Sequence, residues 1–208
     1  MPLPPPDCSR QPIHTRSIRV QGYGREDGLW DLEAELIDYK GYDFIRSEGD
    51  VMKAGQYIHH MHLRITIDAS YTIVAAQAAY DAAPYDVHCT AIDQAYAGLV
   101  GMNLLKGFRH QVKDRFAGIE GCTHMTELSL VLPTAAVQTM SGRRREQNAA
   151  SDRRPFQLDG CHALRTDGEV VLQHYPRWYT GRADSPAEES DSDAGPRSID
   201  SPSFSHTS

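Results

Sequence analysis

The 208-residue sequence predicts an α+β fold, an antiparallel sheet of about four strands covered by about three helices. Three observations carry that expectation. Residues 15–38 and 61–80 alternate apolar and polar with a period of two, as half-buried strands do. From Thr90 onward the apolar residues recur three and four apart, the spacing of one helix face. The two patterns are also segregated along the chain, strands first, which favours a sheet under helices over alternating βαβ units.

The first two strands are "TRSIRVQGY" (15–23) and "GLWDLEAELID" (28–38). The second sets Trp30, Leu32, Ala34 and Leu36 on one face and Asp31, Glu33 and Glu35 on the other. "REDG" (25–28) between them is a hairpin signal, and Arg19 faces an acidic neighbour strand. "MHLRITIDASYTIVAAQAAY" (61–80) repeats the pattern with Leu63, Ile65 and Ile67 inward and a turn at Asp68–Ser70. Four antiparallel strands follow.

"TAIDQAYAGLVG" then places Ile92, Ala95, Tyr96 and Leu99 at helical spacing, with Thr90 and Asp93 set like a capping pair. "LKGFRHQVKDRF" turns Leu105, Phe108, Val112 and Phe116 inward, and "CTHMTELSLVLPTAAVQTM" buries Met125, Leu128 and Leu132 until Pro133 kinks or breaks it. "PFQLDGCHALRTDGEVVLQHYPRWYTG" (155–181) reads as an extended arm with one hairpin-like turn at Thr166–Gly168. The expected organisation is an extended arm over 1–12, one α+β domain over 13–181, and a disordered tail over 182–208. The arginine clusters of "SGRRREQNAASDRRP" (141–155) read as a solvated loop.

Composition narrows the function. A net charge of −7 argues against nucleic acid as a partner. No apolar run approaches the roughly 18 residues of a membrane span, and "MPLPPPDCSRQP" holds no signal-like stretch. The expected location is the cytoplasm, where Cys8, Cys89, Cys122 and Cys161 are reduced thiols. They are then candidate ligands or nucleophiles.

The candidate site grows from "GCTHMTEL" (121–128). Cys89 and Cys122 each precede an expected helix, where free amides and the positive dipole end favour thiolate. Cys122 and His124 converge only if Cys122 stands before the first turn, because two residues apart inside a helix they would point about 200° apart. Of Cys161 and His162, neighbours in an extended arm, one enters a site and the other points away. Among His59, His60 and His62, alternation puts His59 on the buried face with Met61, and the other two toward solvent.

Two resemblances accompany these residues. "IHTR", "GYGREDGLWDLEAELID", "HMHLRITID", "DAAPYDVHC", "EGCTHMTEL" and "CHALRTDGEVV…YPRWY" together resemble a bacterial family of unknown function, over about residues 1–181. No activity comes with that family. "HHMHLRITIDASYTIVAAQAAYDAAPYDVHC", followed by helices and a later cysteine, is similar to the core of iron–sulfur cluster scaffold proteins of the IscU type over roughly residues 57–140. That resemblance implies an IscU-like fold, with His59 in place of the scaffold's aspartate ligand and Cys89 and Cys122 in place of two of its cysteines. The scaffold's first cysteine has no counterpart, and Gln56 and Tyr57 occupy that region. The expected function is a Cys/His metal pocket for zinc or iron, drawn from His59, Cys89, Cys122, His124, Cys161 and His162, with or without catalysis. The alternatives are a metal-free enzyme with Cys122 or Cys89 as nucleophile and His124 as base, or a non-catalytic protein that binds a small ligand.

Overall fold

A computed structural model describes residues 2–47, 49–143 and 152–181. The chain divides into two compact units, 1–149 and 150–208. Residues 2–13 carry neither helix nor strand, as expected of the arm, and the tail expected to be disordered lies outside the described residues.

In the first unit, β1 (His14–Gly24), β2 (Trp30–Lys40), β5 (Tyr57–Ile67) and β6 (Ile73–Ala82) form an antiparallel sheet in the order β1-β2-β5-β6. A two-stranded ribbon, β3 (Phe44–Ile45) and β4 (Val51–Met52), is inserted between β2 and β5. The α+β expectation is met. The two central strands show the period-two rule: Leu32, Ala34 and Leu36 of β2 are buried, as are Met61, Leu63 and Ile65 of β5. The β1–β2 turn needs Gly28, whose φ of +82° lies in the left-handed region that other residues avoid. At the β5–β6 turn the Asp68 carboxylate accepts the backbone N–H groups of Ser70 and Thr72.

The helices cover one face of this sheet. α1 (Asp86–Thr90) and a 3₁₀ segment (Asp93–Leu99) follow β6, then α2 (Phe108–Arg115), α3 (Thr123–Ser129) and α4 (Leu132–Thr139). α3 packs on β2 and β5, α4 on β1 and β2, and the 3₁₀ segment on β6. Met125, Leu128 and Leu132 from this layer are fully buried, and so are Tyr96, Leu99 and Val112. Leu105, expected inward, is 38% exposed, and its neighbour Leu104 is buried instead. Pro133 divides α3 from α4 and sits in the first turn of α4, where its missing N–H costs nothing. Gly22 lets α4 approach β1: a Cβ there would meet Thr139 Oγ1 at 2.0 Å.

One expectation about this layer needs correction. Cys89 does not precede a helix; it is the fourth residue of the five-residue α1. The helix starts early because a turn after Pro84 carries the His88 N–H back to the Tyr85 carbonyl. Cys89 therefore stands at the carbonyl end, away from the free amides that favour thiolate.

In the second unit, the segment 155–181 is not an extended arm. It forms a 3₁₀ turn at His162–Leu164, a helix α5 (Glu169–His174) and another 3₁₀ turn at Pro176–Trp178. Among the described residues no strand pairs with it, so an extended chain would leave its backbone groups without partners, whereas a helix satisfies them internally. Val171 is buried, and the Asp159 carboxylate accepts the Thr166 N–H at 2.8 Å.

Candidate metal centre

On β2 the inward register runs Leu32, Ala34, Leu36 and then Asp38, which is only 2% exposed. A carboxylate in a core position is costly unless it is paired, so its partners define the site. Arg16 on β1 grips both oxygens, Nε to Oδ1 at 2.8 Å and Nη2 to Oδ2 at 2.7 Å. This two-point geometry is the strongest pairing a carboxylate makes with a side chain. His14 Nε2 lies 3.1 Å from Oδ1, and His59 Nδ1 lies 3.0 Å from Oδ2. His59 reaches that place because it is the register partner of Asp38 on the adjacent strand, so both point to the helix-covered face.

The fourth group comes from the helical layer. Cys122 is the N-cap of α3, in extended conformation, and His124 occupies the helix's first turn. The Tyr96 hydroxyl accepts the Cys122 N–H at 2.9 Å and lies 2.9 Å from both the Cys122 carbonyl and Thr126 Oγ1. Arg16 Nη1 also bonds Glu127 Oε2 at 2.5 Å, which ties α3 to β1. Held in this way, the His124 ring lies 3.9 Å from the His59 ring, centroid to centroid, and its Nε2 lies 3.9 Å from Asp38 Oδ2. Cys122 Sγ is 4.0 Å from the other nitrogen, His124 Nδ1. The thiol and Asp38 thus stand at opposite edges of one imidazole.

Electrostatics sharpen the roles. Burial alone would raise the Asp38 pKa, but the Arg16 hydrogen bonds and charge, with His14 and His59, bring it down to about 2. Burial lowers the His59 pKa, the neighbouring His124 adds to the effect, and Asp38 only partly opposes it. Burial would raise the Cys122 thiol, but the bond to His124 and the backbone N–H groups of Met125 and His124 outweigh it, so its pKa falls below the ordinary value. The Tyr80 hydroxyl is buried. Burial first, then the nearby Cys122, Tyr96 and Cys89, push its ionisation up.

The sequence-derived candidates separate accordingly. One ligand atom each from Asp38, His59 and His124 lie within 4.8 Å of one another, a spacing that can hold a metal ion. His59 and His124 come from the expected set, and Cys122 touches the cluster through His124. Cys89, Cys161 and His162 belong to no such grouping among the described residues, and Cys161 and His162 lie exposed in the second unit. Asp38, His14 and Arg16 were not among the candidates. The available signal was a charged residue standing next in the inward series Leu32, Ala34, Leu36.

No curated protein and no solved structure matches the chain, so the likeness to iron–sulfur scaffolds is not shown. A family model does match, over residues 14–138, from the first residue of β1 to α4, which takes in the whole Asp38 cluster. The chain belongs to DUF2889, a family of proteins of unknown function.

Proposed function

We propose that this protein binds a divalent transition metal, zinc or iron, through Asp38 Oδ2, His59 Nδ1 and His124 Nε2. The observation that supports this reading most is the spacing of those atoms. Two ligands held tetrahedrally at zinc-like bond lengths lie about 3.3 Å apart. The Asp38–His59 and Asp38–His124 separations, 3.0 and 3.9 Å, bracket that value. The protonation states also suit binding: an ionised carboxylate and a His59 biased toward neutral imidazole are the ligating forms. Cys122 then orients His124: a thiolate accepting the Nδ1–H leaves the Nε2 lone pair directed at the metal. Two histidines and one carboxylate leave coordination positions open for water or a small-molecule ligand, as in non-haem iron and catalytic zinc sites. Cytoplasmic residence belongs to the same reading, supported by four free cysteines and, among the described residues, no helix long and apolar enough to cross a membrane.

Elemental analysis of tag-free protein, beside His59→Ala and His124→Ala variants, tests the proposal. Zinc or iron content lower by about one equivalent in both variants than in the wild type supports it; metal content indifferent to both substitutions sinks it.

The chain Cys122–His124–Asp38 also favours a second reading, a nucleophilic thiol with His124 as base and Asp38 as its orienting carboxylate. His59 separates the two. Metal binding requires it, whereas a thiol mechanism loses little when it is replaced.

A further inference from the structure

The opposite face of the sheet carries a second cluster that the Asp38 site does not use. His60 and His62 stand two apart on β5 and so project from the same face, opposite the helices. Glu35 on β2 is the register partner of His62, and its Oε1 lies 2.9 Å from His60 Nε2. On the other flank, the β5–β6 pairing shifts between His60 and Met61, which pair with Ala82 and Tyr80, so Asp81 between them is a bulged residue without a partner. Bulges re-aim side chains, and this one brings Asp81 Oδ2 to 2.9 Å from His62 Nε2 and 3.4 Å from His60 Nδ1. The two imidazole rings lie 4.5 Å apart, and Tyr57 packs edge-on against His60.

We propose that Glu35, His60 and His62 form a second site for a divalent cation, zinc above all, on the face of the sheet opposite the helices. One ligand atom each from Glu35, His60 and His62 lie within 4.8 Å of one another. Two adjacent strands of the sheet supply these side chains, so little conformational entropy is lost when an ion gathers them. His60 and Glu35 are shielded, with side chains 18% and 31% exposed, which strengthens their interaction with a cation beyond that of a fully solvated pair. The mixed nitrogen and oxygen set suits zinc better than calcium or magnesium. A cleft of about 370 Å³ beside Glu35 and His62, lined also by Arg19, Gln21, Arg64 and Gln77, gives an ion access from solvent. The plain alternative is two surface histidine–carboxylate pairs, which hold no metal.

Zinc titration of the tag-free full-length protein decides between them. A His59→Ala/His124→Ala variant, lacking the buried cluster, is expected to retain one zinc equivalent. Adding Glu35→Gln or His62→Asn should weaken that binding by at least about tenfold, and cobalt(II) at the site should show no thiolate charge-transfer band. If the double variant does not fold, as judged by circular dichroism, the same test runs in the wild-type background. There His60→Asn/His62→Asn should lower the stoichiometry by one. Absence of zinc binding tighter than roughly 100 μM in the folded double variant, or binding unchanged by Glu35→Gln and His62→Asn, overturns the proposal. In the wild-type background, a stoichiometry unchanged by the histidine pair does the same.

Discussion

Asp38 and His59 face each other across adjacent strands, Oδ2 to Nδ1 at 3.0 Å, at the one core-facing position of β2 that is charged. Arg16 holds the same carboxylate from the other side. Removing its charge strands both neighbours. Asp38→Asn, nearly the same in shape, should destabilise the metal-free protein by about 2–3 kcal/mol in urea denaturation. A loss under about 0.5 kcal/mol would mean that the pairing is solvated and stabilises little.

The same carboxylate sets an acid limit. Its folded pKa, about 2, lies below the unfolded reference of 3.8, so its contribution is fully present above about pH 4 and is lost as pH falls toward 2. For the metal-free protein that contribution is about 2 kcal/mol. Stability measured against pH in the presence of a chelator should show this drop in the wild type and a shallower one in Asp38→Asn. Parallel curves would contradict the assignment.

Most of the architecture was legible in the sequence, and the reasons are local. The alternation of "LWDLEAELI" and "LRITI" specifies which face each residue takes, and one buried face makes the register hard to slip. It also placed His59 inward beside Met61. Helix boundaries were harder. Cys89 fell inside α1 because a turn at Pro84–Tyr85 started the helix several residues early, and propensity cannot see which carbonyl a given N–H will find. Asp38 was missed for another reason. Its role depends on Arg16 and His124, 22 and 86 positions away, and nothing in "ELIDYK" marks a charge that another strand and a helix will neutralise. His124 and Cys122 were legible as a pair, since an N-cap cysteine and a first-turn histidine converge by geometry alone.

Gly22 supplies a packing test away from the site. An added methyl would overlap the Thr139 side chain, so Gly22→Ala should cost about 1–3 kcal/mol. Thr139→Ala in the same chain should restore part of that loss, as a thermal denaturation series would show, because the Oγ1 and Cγ2 contacts at 2.0 and 2.5 Å go while the Cβ contact at 2.8 Å stays. Additive losses in the double variant would show that α4 does not pack here as described.

Cys122 gives a chemical test. With Cys8, Cys89 and Cys161 replaced by serine, its alkylation by iodoacetamide should reach half its maximal rate below the ordinary thiol value of about 8.5. His124→Ala should move that midpoint upward, because the hydrogen bond that favours thiolate is gone. An unmoved midpoint would remove His124 from any role at the sulfur.

The central claim is that Asp38, His59 and His124 gather one metal ion. Anomalous diffraction from crystals of the full-length protein equilibrated with zinc, recorded at the zinc edge, tests it most directly. The expected result is a peak about 2.0–2.2 Å from Asp38 Oδ2, His59 Nδ1 and His124 Nε2 together. Saturating zinc with no peak among these three atoms, and the Arg16–Asp38–His59 hydrogen bonds left intact, would contradict it.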